Sequence, residues 1–288
     1  MLLKKRLSAL WAAAIIILTV LLASGAALGI TNGKVDGTDG VTHPNVGALV
    51  ASEPFDDGTY AYCTGTLISP TVFLTAAHCD PLTDDGVTFA TAYDPKTSTT
   101  YIICASRNCN GDQQNYDARY RADPINDIAV VKFYEPITTI TPAKLPDPTT
   151  NDPKVNLDFA AKGDKFTAVG YGGVIDTQSG GPTSIVYDDQ RRYAVSSFKS
   201  VNQDYLRLSQ NLKQEAGGTC DGDSGGPNFF GQYPYDYDNN PSTENVPVIA
   251  GITITGDTWC KATNVALRLD NEAVRTFLRS QGVDVPGD

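Results

Sequence analysis

The stretch Gly218-Thr219-Cys220-Asp221-Gly222-Asp223-Ser224-Gly225-Gly226-Pro227 places four glycines around a single serine, with an acid directly before it. Glycine accepts positive φ values and lets backbones approach closely, so this density predicts a tight turn. Such a turn exposes one hydroxyl and leaves backbone amides unpaired. A serine nucleophile needs both features. We expect the N–H groups of Gly222 and Ser224 to hold the oxyanion of a tetrahedral intermediate. The alternative is an ordinary glycine-rich surface loop.

A serine nucleophile needs a base beside it, because serine reacts weakly at its free pKa. The chain has two histidines, and His78 ends the apolar run Leu74-Thr75-Ala76-Ala77-His78-Cys79. Asp127 begins the apolar run Asp127-Ile128-Ala129-Val130-Val131, where a charge needs a partner such as a neutral imidazole. Taken alone, His78 also fits a core histidine, and Asp127 a turn residue at the start of a strand.

Three motifs occur in the order T-A-A-H-C, N-D-I-A-V and G-D-S-G-G-P. From Ile30 to its C-terminal helix the chain therefore resembles the chymotrypsin/trypsin-like serine proteases. The resemblance implies that Ser224 attacks a peptide carbonyl, His78 transfers the proton and Asp127 fixes the tautomer of His78. It also implies two facing antiparallel β-barrels of six strands each, with the active site in the cleft between them.

Short β runs separated by turn residues, with no helical period between them, predict the same all-β fold. The runs lie at 47–52, 63–69, 71–77, 87–93, 100–105, 127–134, 165–171, 184–187, 192–198, 205–209, 246–255 and 264–269. A connecting segment rich in proline follows residue 145, so we assign one barrel to residues 30–145 and the other to 146–288. The apolar spacing of Val274, Phe277 and Leu278 predicts a helix over 270–282.

Residues 1–29 combine Lys4, Lys5 and Arg6 with a long apolar run and then small residues, the pattern of a signal peptide. We expect cleavage before Ile30 and a secreted protein. The alternative is an uncleaved membrane anchor, because the apolar run approaches the length that spans a bilayer.

The resemblance gives Ile30 a further role. In the family the new N-terminal ammonium pairs with the acid before the nucleophile, which is Asp223 here. A buried carboxylate needs such a partner. Thr31 and Asn32 depart from the usual residues of the family at this terminus.

Six cysteines, all after the signal, form an even set that suits an oxidising compartment. The resemblance implies one disulfide between Cys63 and Cys79 and another between Cys220 and Cys260. Cys104 and Cys109 have no counterpart in the family, and we expect them to close a hairpin. Free thiols or a metal site are the alternatives for this last pair. We expect no metal and no cofactor, since only one histidine is spare.

The primary specificity pocket of the family corresponds here to Gly218 and Thr219 at the floor and to Ile254, Thr255 and Gly256 at the wall. The floor lacks a carboxylate, which removes the physical basis for choosing arginine or lysine. We therefore expect small or apolar residues on the acyl side of the cut. Ile254 and Thr255 replace the serine and tryptophan that are usual in the family.

The net charge of −11 argues against nucleic acid and anionic membranes as partners. A composition of 41% hydrophobic and 19% charged residues is that of a folded protein. We expect polypeptide substrates, with a proteinaceous inhibitor as a further partner, a monomeric state, and membrane contact only if the signal is uncleaved. A catalytically silent homologue that binds proteins is the rival function. An α/β-hydrolase esterase fits less well, because its triad runs Ser, Asp, His.

The segment between Pro227 and Val246 is longer than a tight hairpin needs and carries five aromatic residues. An exposed aromatic loop near a cleft can bind substrate. We expect a variable surface insertion, and substrate binding is the alternative. The aromatic residues are Phe229, Phe230, Tyr233, Tyr235 and Tyr237.

Overall fold

A computed structural model describes residues 30, 33–105, 115–176, 184–211, 216–232 and 246–287. In this part of the chain, strands dominate and one α-helix lies at the C-terminal end. The signal segment 1–29 lies outside the described residues. None of the described helices is long and apolar enough to cross a membrane.

The first barrel closes with seven strands. They are β2 (Val46–Val50), β3 (Ala61–Ser69), β4 (Val72–Thr75), β5 (Gly86–Thr88), β6 (Tyr101–Cys104), β7 (Ala118–Asp123) and β8 (Ile128–Phe133). Their order is β2-β3-β4-β8-β7-β6-β5, and β5 pairs with β2 to close the ring. The sequence predicts six strands for this barrel, and the additional strand is β7. In β7, Arg119 and Arg121 alternate with buried residues, so the strand lacks the apolar run by which the others are predicted. Strands β6 and β7 pair in parallel, whereas the other strand pairs of this barrel are antiparallel. The segment that joins β6 to β7 is long enough for a crossover connection.

The second barrel closes with six strands. They are β9 (Lys165–Gly170), β12 (Arg192–Val201), β13 (Tyr205–Ser209), β14 (Pro227–Phe230), β15 (Ile249–Gly256) and β16 (Thr263–Arg268). Their order is β12-β13-β16-β15-β14-β9, closed by pairing of β9 with β12. Strand β1 (Lys34–Val35) also pairs with β12, so residues ahead of the first barrel join the second. Strands β10 (Val174–Asp176) and β11 (Ser184–Val186) form a separate antiparallel pair.

Strand β14 corrects the expectation of an exposed aromatic loop. The side chains of Phe229 and Phe230 are 0% and 2% exposed and belong to the core of the molecule. They lie in β14, which pairs with both β9 and β15. The expectation is therefore wrong for these two residues. The other aromatic residues, Tyr233, Tyr235 and Tyr237, lie outside the described part.

The predicted C-terminal helix is present as α1 (Glu272–Ser280). The side chain of Asn271 accepts a hydrogen bond from the amide of Ala273 and so caps the first turn. Val274 and Leu278 are buried and pack into the core. Gly282, at φ 79°, allows the chain to leave the helix in the left-handed region.

Candidate active site

The loop between Cys220 and β14 turns twice around Ser224. Gly222 and Gly225 have φ values of 93° and 78°, which only glycine adopts without strain. A Cβ on Gly225 would lie 2.2 Å from Thr75 Oγ1, so the first barrel also presses against this loop. The amide of Gly225 donates to Thr253 O in β15, and the amide of Thr253 donates to Gly226 O. These two bonds tie the loop to the second barrel.

Three of the loop amides are paired internally or with β15. The N–H of Asp223 donates to Cys220 O, and that of Gly226 donates to Asp223 O, at 3.0 and 2.9 Å. Within the described part of the chain, the amides of Gly222 and Ser224 donate to no protein acceptor. Two free amides on either side of one residue can together donate hydrogen bonds to an anionic oxygen.

Thr64 of β3 holds the same loop from the first barrel. Its amide donates to Ser224 O at 2.9 Å, and its hydroxyl donates to Gly222 O at 2.9 Å. The same hydroxyl accepts the amide of Tyr171 at 3.1 Å. These bonds fix the two carbonyls of the loop.

His78 lies just after β4, in a 3₁₀ turn over Ala77–Cys79. The hydroxyl of Tyr120, which is buried, donates to Ala77 O at 2.9 Å and holds this turn from β7. A disulfide joins Cys79 to Cys63, the neighbour of Thr64, and the sulfur of Cys79 lies 3.7 Å from Ser224 O. The histidine turn and the serine loop are therefore adjacent.

Asp127 contacts His78 twice. One carboxylate oxygen accepts the backbone amide of His78 at 2.9 Å, and the other lies 2.8 Å from Nδ1 of the ring. Burial raises the pKa of Asp127, but the bonds from His78 outweigh it and hold the pKa below its usual value. Asp127 has φ 52°, a conformation that aspartate tolerates better than most residues. An ionised carboxylate at Nδ1 leaves Nε2 of the imidazole as the proton acceptor.

A cavity of about 290 Å³ opens beside Ser224. Of the predicted specificity residues, Thr219, Ile254, Thr255 and Gly256 line it. Its walls also include the disulfide between Cys220 and Cys260. Thr253 and Thr258 line the cavity as well.

A comparison with protein-family models matches residues 35–266 to the trypsin model. The chain belongs to the trypsin family. No curated protein matches it in a sequence search.

Within this trypsin-family chain, Gly218 does not line the cavity. It packs instead on the buried side chain of Gln210, whose Oε1 would lie 1.9 Å from a Cβ at position 218. The hydroxyl of Thr219 reaches the same Oε1 at 3.5 Å. An uncharged amide therefore contacts Thr219, and only glycine fits at 218.

Asp257 is a cavity residue that sequence reasoning missed, because the motif comparison ended at Gly256. Its carboxylate accepts the amides of Lys261, Ala262 and Thr263 at 2.7 to 3.0 Å. Burial raises its pKa, but these donors outweigh it and lower the pKa. The charge is thus engaged by the backbone of its own turn.

Asp223 is fully buried, and its carboxylate accepts the amides of Gly172 and Cys220, both at 2.8 Å. Burial is the main cause that raises its pKa to about 7. Ile30, its predicted partner, is buried and sits inside the continuous chain, where it carries no ammonium. Among the described residues, Asp223 forms no ion pair. The pairing of Ile30 with Asp223 stays a prediction for a chain cut before Ile30.

The remaining cysteine predictions have separate outcomes. Cys63–Cys79 and Cys220–Cys260 are disulfides, as the resemblance implies. Cys104 is disulfide-bonded too, but Cys109 lies outside the described residues and the pair stays a prediction. The atoms of Cys63, His78 and Cys79 lie within 4.8 Å of one another, yet the two sulfurs are bonded to each other and offer no thiolate to a metal.

Proposed function

We propose that this protein is a secreted serine endopeptidase that cuts peptide bonds through Ser224, His78 and Asp127. The observation that carries the proposal is the double contact of Asp127 with His78, beside the loop that presents Ser224. Trypsin-family proteases act on polypeptides, and disulfides are typical of secreted proteins.

In the proposed reaction, Ser224 Oγ attacks the peptide carbonyl while Nε2 of His78 takes its proton. The carboxylate of Asp127 stabilises the imidazolium that forms. The amides of Gly222 and Ser224 hold the oxyanion of the tetrahedral intermediate. His78 then protonates the leaving amine, and water, deprotonated by His78, releases the acyl group and regenerates the serine.

The proposed specificity is for small or apolar residues on the acyl side of the cut. The support is a lining that includes four threonines and two carboxylates. Asp257 is engaged by three amides, and Asp221 is exposed. Among the described residues that line this cavity, a basic side chain would meet no buried carboxylate that is free of backbone donors, and it would lose hydration on entry.

A panel of internally quenched peptides that differ only at the acyl-side residue tests both the peptidase activity and its specificity. We expect cleavage after small or apolar residues, and a loss of about six orders of magnitude in kcat for Ser224→Ala. Ser280→Ala, on the exposed face of α1, serves as the matched control and keeps the parent rate. Fastest cleavage after arginine or lysine would contradict the specificity. A folded protein that cuts none of the peptides would favour the silent binding homologue.

A further inference from the structure

A second cavity, of about 340 Å³, lies on the other side of the serine loop. Phe55, Tyr62 and Tyr187 supply aromatic walls, and Asp57 and Asp221 supply carboxylates. None of the described residues that line it is basic. Its edge is Gly222, so it opens directly beside the proposed oxyanion site.

The position of this cavity identifies the side of the substrate that it faces. Ala61 and Tyr62 in its wall precede Cys63, whose disulfide partner Cys79 follows His78. The specificity cavity lies instead against β15, and Asp221 is the one described lining residue that the two cavities share. His78 must protonate the amine that leaves, so the leaving segment departs on the side of the histidine turn. The second cavity therefore faces the leaving-group segment.

The aromatic walls are held in place. The hydroxyl of Tyr62 donates to the buried carboxylate of Asp85 at 3.0 Å, and its ring meets Phe55 edge to face at 6.4 Å. Tyr187 packs over Gly173, where a Cβ would lie 3.0 Å from its ring. The amide of Gly173 donates to Asp221 O at 2.8 Å, which links this wall to the serine loop.

The charges of the cavity are negative. The carboxylate of Asp57 accepts both the hydroxyl and the amide of Thr59, and these bonds lower its pKa and keep it ionised at neutral pH. The pKa of Tyr187 is raised by burial first and then by the charges of Asp221 and Asp57, which both act at its ring. Aromatic faces and carboxylates together attract a cation on an apolar stem.

We propose that this cavity binds an arginine or lysine side chain of the polypeptide substrate on the leaving-group side of the cut. The inference rests on the proposed peptidase function and adds a second specificity to it. The stem of the basic residue lies along Phe55 and Tyr62, and its charge lies between Asp57 and Asp221.

Acyl transfer tests this inference apart from hydrolysis. An activated ester with a small acyl group acylates Ser224, and added dipeptide amides then compete with water for the acyl-enzyme. The amine attacks the ester carbonyl, its proton passes through His78 to Ser224 Oγ, and a new amide bond replaces the ester. The dipeptides carry arginine, its uncharged isostere citrulline, or glutamate, at either position, and chromatography gives the ratio of amide to acid.

We expect the arginine dipeptide to intercept the acyl-enzyme about fivefold better than its citrulline counterpart, with glutamate poorest. Asp57→Asn keeps an acceptor for Thr59 and should lower the arginine-to-citrulline ratio about twofold. The double variant Asp57→Asn/Asp221→Asn should bring it to about one. Asp56→Asn, the same charge change one residue outside the cavity, should retain the parent ratio. Each ratio is internal to one preparation, so partial misfolding does not affect it.

Equal interception by arginine and citrulline in the parent protein would overturn the inference. An arginine preference that persists in the double variant would also overturn it, since it would arise elsewhere. In both cases turnover of the ester would leave the peptidase proposal standing. Absence of ester turnover and of acyl-enzyme would instead contradict the proposed function itself.

Discussion

Thr64 is the residue whose role is clearest from the structure and least visible in the sequence. The hydroxyl of Thr64 donates to Gly222 O and its amide donates to Ser224 O, although both residues lie more than 150 positions further along the chain. No local sequence pattern predicts a contact between residues so far apart in the chain. The sequence motifs predict which residues react, but not the one that orients the loop between them.

Thr64→Val removes the hydroxyl and keeps the shape of the side chain. We expect kcat for peptide hydrolysis to fall about tenfold or more, with KM changed less, because the loop loses a bond that positions its amides. Thr64→Ser should restore the rate, since it restores the hydroxyl. Thr66→Val is the matched control on the same strand, because the hydroxyl of Thr66 is buried and has no hydrogen-bond partner among the described residues. A similar loss of kcat in the Thr66 variant would show that the effect is general to β3.

Asp223 makes stability depend on pH with a definite sign. Its pKa is about 7 in this fold and close to 4 when unfolded, so the folded chain binds more protons between these values. Stability should therefore fall as pH rises from about 4 to about 7, by on the order of 1 to 4 kcal/mol, and then level off. Denaturant unfolding at several pH values measures this, and Asp223→Asn should remove the trend.

The same measurement tests the pairing with Ile30. In a chain that begins at Ile30, an ammonium beside Asp223 would lower its pKa, and the loss of stability between pH 4 and 7 should disappear. An identical pH profile for the chain that begins at Ile30 and for the longer chain would contradict the pairing.

At the scale of elements, strands with a continuous apolar run could be predicted and those without one could not. Strand β8 (Ile128–Phe133) is apolar at every position except Lys132 and is close to its predicted position. Strand β7 (Ala118–Asp123) was missed, because two arginines on its outer face interrupt the run. Strand β14 (Pro227–Phe230) was missed, since it follows the glycine loop directly and begins with proline. Proline is tolerated there as the first residue of the strand.

The helix α1 was predictable because its signals are local. Asn271 caps it, Glu272 lies in the first turn and Arg279 in the last, so its charges suit the helix dipole. Asn271→Ala should lower the free energy of unfolding by about 1 kcal/mol, because the amide of Ala273 loses its partner. Asn271→Asp should retain most of the stability. Equal unfolding midpoints for Asn271→Ala and the parent would contradict the capping role.

At the scale of the molecule, Arg191 joins the two barrels. Its guanidinium is buried and pairs with Asp36 at 2.8 Å, and it also donates to Val46 O and Phe89 O in the first barrel. Tyr171, in the second barrel, receives a further bond at 3.3 Å. The motifs in the sequence predicted that two barrels face each other, but not which residues hold them there. A buried arginine beside a second one, in Gln190-Arg191-Arg192, has no distinguishing local pattern.

Arg191→Met removes a buried cation and leaves Asp36 without this partner. We expect a loss of about 3 to 5 kcal/mol in the free energy of unfolding, measured by denaturant titration. Arg207→Met, at a half-buried position on β13, should cost less than about 1 kcal/mol. Similar losses in both variants would contradict a special role for the contact between the barrels.

The central claim is that His78 and Asp127 activate Ser224. Labelling of the purified protein with a fluorophosphonate, followed by digestion and mass spectrometry of the peptides, tests it most directly. The account predicts one adduct per chain, on Ser224, and labelling of Asp127→Asn slowed by about four orders of magnitude. A folded protein that acquires no adduct on Ser224, or that labels at the parent rate without the carboxylate of Asp127, would contradict it.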